Sequence, residues 1–231
     1  MSILVFIPAR SGSKGIKNKN LIKIGKKKLI DYTLDTAKKL GKDTFYFVST
    51  DSKKILKHCN LKGNMTSYIR PRYLATDKSS IIDSIFHAIR WLENVHKYKP
   101  ESVLLLQPTS PFRNNKEIKK AINEFKKKNL KSLVGAVKMK QHPNECIELK
   151  NNKWNFITKF SEKISRRQDY NDNYYFIDGS FYLCKLSFLL KYKKFIHKNI
   201  TKIKIFKNPL SIDIDELDDI KVAETYSHFY V

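Results

Sequence analysis

Apolar and polar positions along this chain repeat with two different periods. Short apolar runs of strand length, "SILVFIP" (2–8), "DTFYFVST" (43–50), "SVLLLQ" (102–107) and "SLVGAVKM" (132–139), are separated by stretches with helical spacing. In "KLIDYTLDTAKKL", Leu29, Ile30, Tyr32, Thr33, Ala37 and Leu40 fall roughly on one face, and Gly41 stops the helix. "DSKKILKHC" predicts a short helix with Asp51 or Ser52 as N-cap. "SYIR" reads as a short strand, "SSIIDSIFHAIRWLENV" as the clearest helix, and "NKEIKKAINEFKKK" as another. The near-continuous apolar run of "SVLLLQ" suits a parallel strand covered on both faces. Strands alternating with helices in this way predict a three-layer α/β fold with right-handed crossovers.

The pattern changes between about residues 139 and 177. "NECIELKNNKWNFI" has the form of a hairpin turning at Asn151-Asn152, and "SEKISRRQDYNDNYYF" after it is polar, aromatic and aperiodic. This segment reads as an insertion over one edge of the sheet, serving as a lid, a partner surface or both. The chain then returns to strand with "DGSFYLC", helix with "KLSFLLKYKKF", strand near "KIKIF", and a final helix after "SIDID". No internal repeat and no linker rich in Gly, Ser or Pro divides it. Residues 1–231 are therefore expected to form one domain with one excursion.

Composition narrows the class. A chain of 231 residues buries a substantial core. Its 41% hydrophobic and 12% aromatic content argue against disorder, in spite of a net charge of +24. No apolar stretch approaches the roughly 20 residues of a membrane span, and the first strand begins without a leader-like segment. Cys59, Cys146 and Cys184 are odd in number and widely spaced, as expected of reduced thiols in a cytoplasmic protein. Lysine runs such as "GKKKL", "FKKKNLKS" and "KYKKF" fit solvated faces, or a non-specific attraction to nucleic acid or anionic surfaces. No zinc-finger, homeodomain, RRM or helix-turn-helix pattern accompanies them, so charge alone does not make a nucleic-acid reader.

Candidate chemistry sits at the carboxyl ends of the strands, where open α/β sheets gather ligands. "ARSGSKGIKNKN" (9–20) combines Arg10, Lys14, Lys17 and Lys19 with small residues and no acid. It has neither the Walker A spacing nor G-x-G-x-x-G, yet small residues expose backbone N–H groups while Arg10 and Lys14 supply charge for an anion. "STD" after the second strand and "QPTSPFR" after the apolar one should converge on the same cleft. Near the other end, "SIDID" places Asp213 and Asp215 two apart, so on an extended segment both carboxylates point to one side. Such a pair suits Mg²⁺, and the alternative is that Asp215 caps the following helix while Asp213 is merely exposed.

Taken in order, "IPARSGSKGIKNKN", "STDS", "RPRYLATD", "LLLQPTSPFR", "RRQ", "GSFYL" and "SIDID" resemble the acylneuraminate cytidylyltransferase family, the CMP-sialic acid synthetases. The resemblance runs nearly end to end and is weakest at about 139–165 and 185–208. It implies a Rossmann-like nucleotide-diphosphosugar-transferase fold with a mostly parallel sheet. It also implies Mg²⁺-dependent transfer of CMP from CTP to the anomeric hydroxyl of a nine-carbon acidic sugar, with release of pyrophosphate. The product would be an activated sugar for surface glycan synthesis. Family members are similar in being homodimers, and the excursion corresponds to the element that pairs protomers and closes the partner's sugar pocket.

Carried onto this chain, the resemblance implies that Arg10, Lys14, Lys19 and Asn20 hold the nucleotide, with Arg10 and Lys14 toward the phosphates. Arg70 and either Ser79 or Ser80 would hold the cytidine. Gln107, Arg167 and Tyr182 would meet the sugar, Arg167 as partner of its carboxylate, and Asp213 and Asp215 would bind the metal. No histidine is an obvious base, His87 lying in a helix and His142 on the excursion. The anomeric proton would leave through solvent on the metal or an aspartate of the pair. Asp178 departs from the family's Asn-Gly, which shifts the expected sugar toward legionaminic, pseudaminic or another modified nonulosonic acid if its carboxylate faces the sugar. The alternative is that Asp178 only shapes the turn before Gly179. A Kdo-type nucleotidyltransferase would keep the fold but lose "QPTSP" and "RRQ". A basic nucleic-acid-binding protein would explain the charge but not the ordered motifs.

Overall fold

The computed structural model describes residues 1–12, 15–64, 66–158, 173–207 and 211–230. The chain opens with β1 (Ile3–Pro8), a short hairpin of β2 (Lys23–Ile24) and β3 (Lys27–Lys28), and α1 (Leu29–Lys38). Then come β4 (Thr44–Ser49), α2 (Lys53–Leu61), α3 (Ile81–His96), β5 (Ser102–Leu105), α4 (Asn115–Lys127) and β6 (Ser132–Lys138). The excursion carries β7 (Ile147–Lys150) and β8 (Lys153–Phe156), and the chain returns through β9 (Tyr175–Phe176). It finishes with β10 (Tyr182–Lys185), α5 (Leu186–Tyr192), β11 (Lys202–Ile205) and α6 (Leu217–Ser227).

Alternation within the strands builds the layers. Ile3, Val5 and Ile7 of β1 join a core cluster with Ile30, Leu34, Ile55, Ile118 and Phe125, from α1, α2 and α4. Leu4 and Phe6 point the other way, onto Ile85, Ile89 and Leu92 of α3 and Leu186 and Leu189 of α5. Both faces of β1 are buried, which is why Ile3–Ile7 carries no polar position. The main sheet has the order β11-β6-β10-β5-β1-β4, with β9 attached to β6. β4 and β5 flank β1 in parallel and β11 runs parallel to β6, whereas β10 is antiparallel to both of its neighbours. The strand order reverses at β1, so the crevice above β1 and β5 is a topological switch point.

The α/β alternation is as the periodicity predicts, with three differences. "SYIR" forms no strand, because its hydrogen bonds go elsewhere: Arg70 N–H donates to Thr50 O at 2.8 Å and Tyr68 N–H to Thr66 Oγ1 at 3.1 Å. The β2–β3 hairpin is unanticipated, its two-residue strands being too short to show a period. It rests on a third apolar cluster of Ile16, Ile24, Leu29, Tyr32, Phe112, Ile214 and Ala223. β10, read simply as a strand, is the one reversed member of the central path. Among the described residues no helix is long and apolar enough to cross a membrane.

The excursion leaves and re-enters the sheet at one place. Val137 and Lys138 pair with Phe176 and Tyr175, and Met139 N–H donates to Tyr174 O at 3.1 Å. Between them β7 and β8 form a separate two-stranded sheet turning through Asn151 and Asn152, whose φ angles of 51° and 60° are those of a type I′ turn.

Candidate active site

The loops at the carboxyl ends of β1 and β5, the stretch from Arg70 to Ser84 that leads into α3, and the segment before α6 surround a cleft of about 710 Å³; the "STD" turn after β4 does not line it. The basic loop after β1 is held open by acids that the charge pattern did not single out. Asp51, in the turn after β4, accepts from Ser11 N–H at 2.7 Å and from Ser11 Oγ at 2.5 Å. Asn20 is buried and donates from Nδ2 to Arg10 O at 3.0 Å, so it fixes the backbone that carries Arg10. The Arg10 guanidinium faces the cleft and pairs with Asp77 at 2.6 Å, across from it in the "RYLATD" segment.

Lys19 binds the opposite wall. Its ammonium donates to Ile214 O at 2.7 Å and to Asp215 Oδ1 at 2.8 Å. Asp213 and Asp215 both line the cleft, while Ile214 between them is fully buried in the cluster beneath, the alternation expected of an extended D-x-D. Asp215 does not cap the helix: Glu216 is the N-cap residue of α6, and Asp219 Oδ2 accepts from the N–H groups of Asp215 and Glu216. Burial raises the Asp213 carboxyl above its ordinary value and the charge of Asp215 adds to this, while the hydrogen bond to Thr109 and the ammonium of Lys19 pull it down. The segment is pinned to the loop after β5 by Ile214 N–H to Thr109 O at 2.8 Å. It also lies so close to the basic loop that a Cβ on Gly15 would come within 2.5 Å of Asp215 O.

On the floor, Arg70 is 4% exposed yet reaches the cleft. Its Nε donates to Ser49 Oγ at 2.9 Å and its Nη2 to Ser49 O, and burial lowers its guanidinium pKa. The two candidate serines separate by role. Ser79 lines the cleft and ties its own loop, accepting from Thr76 N–H and donating to Tyr73 O. Ser80 is the N-cap of α3, accepting from Ile82 N–H at 3.1 Å.

Gln107 lines the cleft beside the turn before β10, its Oε1 only 3.0 Å from where a Cβ on Gly179 would sit. Gly179 has a φ of +75°, a second reason for glycine there. Of the two alternatives for Asp178, the sugar-facing one is corrected and the turn-shaping one fits. Asp178 is buried, and its carboxylate accepts from Ser180 N–H and Oγ on one oxygen and from Ser211 Oγ on the other, so it does not form the cleft wall. Tyr182 does not line it either: it lies on β10 with its ring 5.7 Å from that of Phe195. Lys14 and Arg167 lie outside the described residues.

Asp51, Asp77 and Thr109 were all inside segments marked by the sequence, but nothing in spacing says which side chain of such a segment turns inward. Among the described residues no cluster of three or more His, Cys, Asp or Glu exists to hold a metal by protein ligands alone. The donor set of Asp213 and Asp215 fits a hard cation that takes its remaining oxygens from a bound phosphate.

Comparison with known proteins agrees with this arrangement. A family model described as cytidylyltransferase matches residues 4–204. The CMP-N,N'-diacetyllegionaminic acid synthase of Legionella pneumophila is 31% identical over 97% of this chain and 95% of its own length. The N-acylneuraminate cytidylyltransferase of Streptococcus agalactiae is 29% identical over 95% of this chain, which spans about half (52%) of that relative. A CMP:2-keto-3-deoxy-manno-octonic acid synthetase complexed with CTP shares the fold over the whole of both chains, with a TM-score of 0.71 at 14% identity. The match of the family model to residues 4–204, most of the chain, shows that the chain belongs to the cytidylyltransferase family.

Proposed function

We propose that this protein transfers the cytidylyl group of CTP to the anomeric hydroxyl of a nine-carbon acidic sugar of the sialic, legionaminic or pseudaminic type, releasing pyrophosphate. The observation that carries the reading is the shared cleft: Arg10, Lys19 and Gln107 line it with Asp213 and Asp215, and Gln107 would meet the sugar. Both reactants are anions and repel each other, so a site that joins them needs fixed cations. Arg10 would exchange Asp77 for the triphosphate, and Lys19 would meet charge building on the pyrophosphate leaving group. Lys14, from the same loop, would share that task. Arg70 and Ser79 would hold the cytidine, and Arg167 the sugar carboxylate.

Asp213 and Asp215 would hold Mg²⁺, which when bound supplies charge neutralisation at the phosphates. Asp213, raised by burial, is the chain's own candidate to take the anomeric proton. No histidine among the described residues lines the cleft. The hairpin of β7 and β8 would pair two copies of the chain: Ile147, Leu149 and Trp154 are 51%, 71% and 57% exposed on it. A lone two-stranded hairpin with such a surface needs cover to be stable.

The test is to incubate the purified protein with CTP, Mg²⁺ and a panel of nonulosonic acids, with Kdo included, and to measure pyrophosphate. Release with one or more nine-carbon sugars, abolished by excess EDTA, is the expected result. Release with Kdo alone would replace the nine-carbon assignment.

A further inference from the structure

Arg113 ends the "QPTSPFR" segment and is 4% exposed. Its guanidinium fastens three parts of the chain. Nε donates to Ser180 O at 2.8 Å, Nη1 to Thr33 Oγ1 on α1 at 3.0 Å, and Nη2 to Gln107 O at 2.6 Å. Burial holds its pKa down at about 10, and the negative charges of Asp178 and Asp213 pull it back up. Asp178 is in turn bound to Ser211, two residues before Asp213, and its backbone oxygen accepts from Ser110 Oγ at 3.3 Å. One buried cation thus sits where the loop bearing Gln107, the 178–180 turn and the segment bearing the acidic pair meet.

Packing alone would not select a charge here. Apolar residues of similar volume commonly stabilise a core as well as a buried ion pair does, or better. What arginine adds is geometry, because its planar fork fixes several acceptors at set angles, which an ammonium or an aliphatic chain does not. The three bonds reach only the Gln107 loop, the 178–180 turn and α1, and none of them involves Arg10, Lys19, Asn20, Arg70 or Ser79.

We propose that Arg113 is a positioning residue for the transfer: with Asp178 and Ser211 it sets the Gln107–Gly179 wall at a fixed distance from Asp213, and so places the acidic sugar. The proposal rests on the cytidylyl-transfer reading. Asp178 belongs to the same device, which accounts for a buried carboxylate with both oxygens engaged inside the fold.

Four variants test it in the full chain: Arg113→Lys, Arg113→Met, Asp178→Asn and the double variant Arg113→Met/Asp178→Asn. Each is compared with wild type for melting temperature, for CTP affinity by calorimetry without sugar, and for kcat and sugar KM. Arg113→Lys is expected to bind CTP within about twofold of wild type. Its sugar KM should rise by about tenfold or more, since displacement of a positioned group by less than an ångström is costly. The double variant, which no longer strands a buried carboxylate, should regain melting temperature lost by Arg113→Met without regaining the sugar KM. If the folded variants keep the wild-type sugar KM and lose only kcat in step with their folded fraction, Arg113 is structural and the proposal fails. Hydrogen exchange reads it without turnover. In Arg113→Lys the amides of 107–110, 178–180 and 211–215 should exchange faster, while those of α3 stay unchanged. Equal exchange at all of them overturns the proposal even if no sugar on the panel reacts, whereas faster exchange with no reactive sugar places the failure in the cytidylyl-transfer reading.

Discussion

Arg10 and Lys19 are each bound to a carboxylate across the cleft, Asp77 and Asp215. A triphosphate must therefore compete for a cation that is already paired. The Arg10–Asp77 pair is partly exposed, with side chains 32% and 42% accessible, and such pairs contribute about 0.2–1 kcal/mol. Asp77→Asn should for that reason tighten CTP binding by about two- to fivefold in a calorimetric titration, and weaker binding would show that Asp77 holds Arg10 in place rather than competing for it. Asp215→Ala should act in the opposite sense. It removes one of the two acidic donors and leaves Lys19 bonded to Ile214 O alone, so turnover should fall by about 10²–10³ while the melting temperature stays near wild type. Undiminished turnover would remove Asp215 from the site. At this scale the sequence was legible where chemistry demanded a residue type: cations in one loop, paired acids in another. It was not legible where a side chain turns inward to serve its own fold, as Asp178 does, because its burial is decided by partners such as Ser211 that are distant in sequence.

Elements were easiest to read where both the period and the stopping residue agreed. α1 buries the face read from its spacing, Ser52 caps α2 with its hydroxyl accepting from Ile55 N–H, and the Asn151-Asn152 turn closes β7 on β8. "SYIR" misled because β propensity describes a fit to a pleated surface, and here the end of β4 takes that backbone by single bonds instead of a ladder. One close contact between segments involves neither strand nor helix. Gly15 lets the basic loop lie against the backbone of Asp215, and any side chain there meets the carbonyl at 2.5 Å, with no flexible group able to yield. Gly15→Ala should separate Lys19 from Asp215 and lower kcat by about tenfold or more with little change in far-UV circular dichroism. A fully active Gly15→Ala would mean that the two segments are free to shift.

At the scale of the molecule, the sheet order brings the loops after β1 and β5 side by side, and this follows from a three-layer α/β pattern that was readable from alternation alone. The excursion behaves as a separate appendage, since it begins and ends on the β6–β9 pair and its hairpin forms its own small sheet. Leu149→Glu with Trp154→Glu places charge at a cross-strand pair on its exposed face, and should convert a dimer to a monomer in sedimentation while leaving CTP affinity unchanged. A wild-type chain that sediments as a monomer at all concentrations would remove this surface from the proposed assembly. The bond from Lys19 to Asp215 joins positions 196 apart. During synthesis the basic loop is complete early, and at about 5–20 residues per second its acidic counterpart follows on the order of ten seconds or more later. The acidic wall of the cleft is therefore the last part of it to be made, and the hollow stays open on that side until residues 211–227 dock.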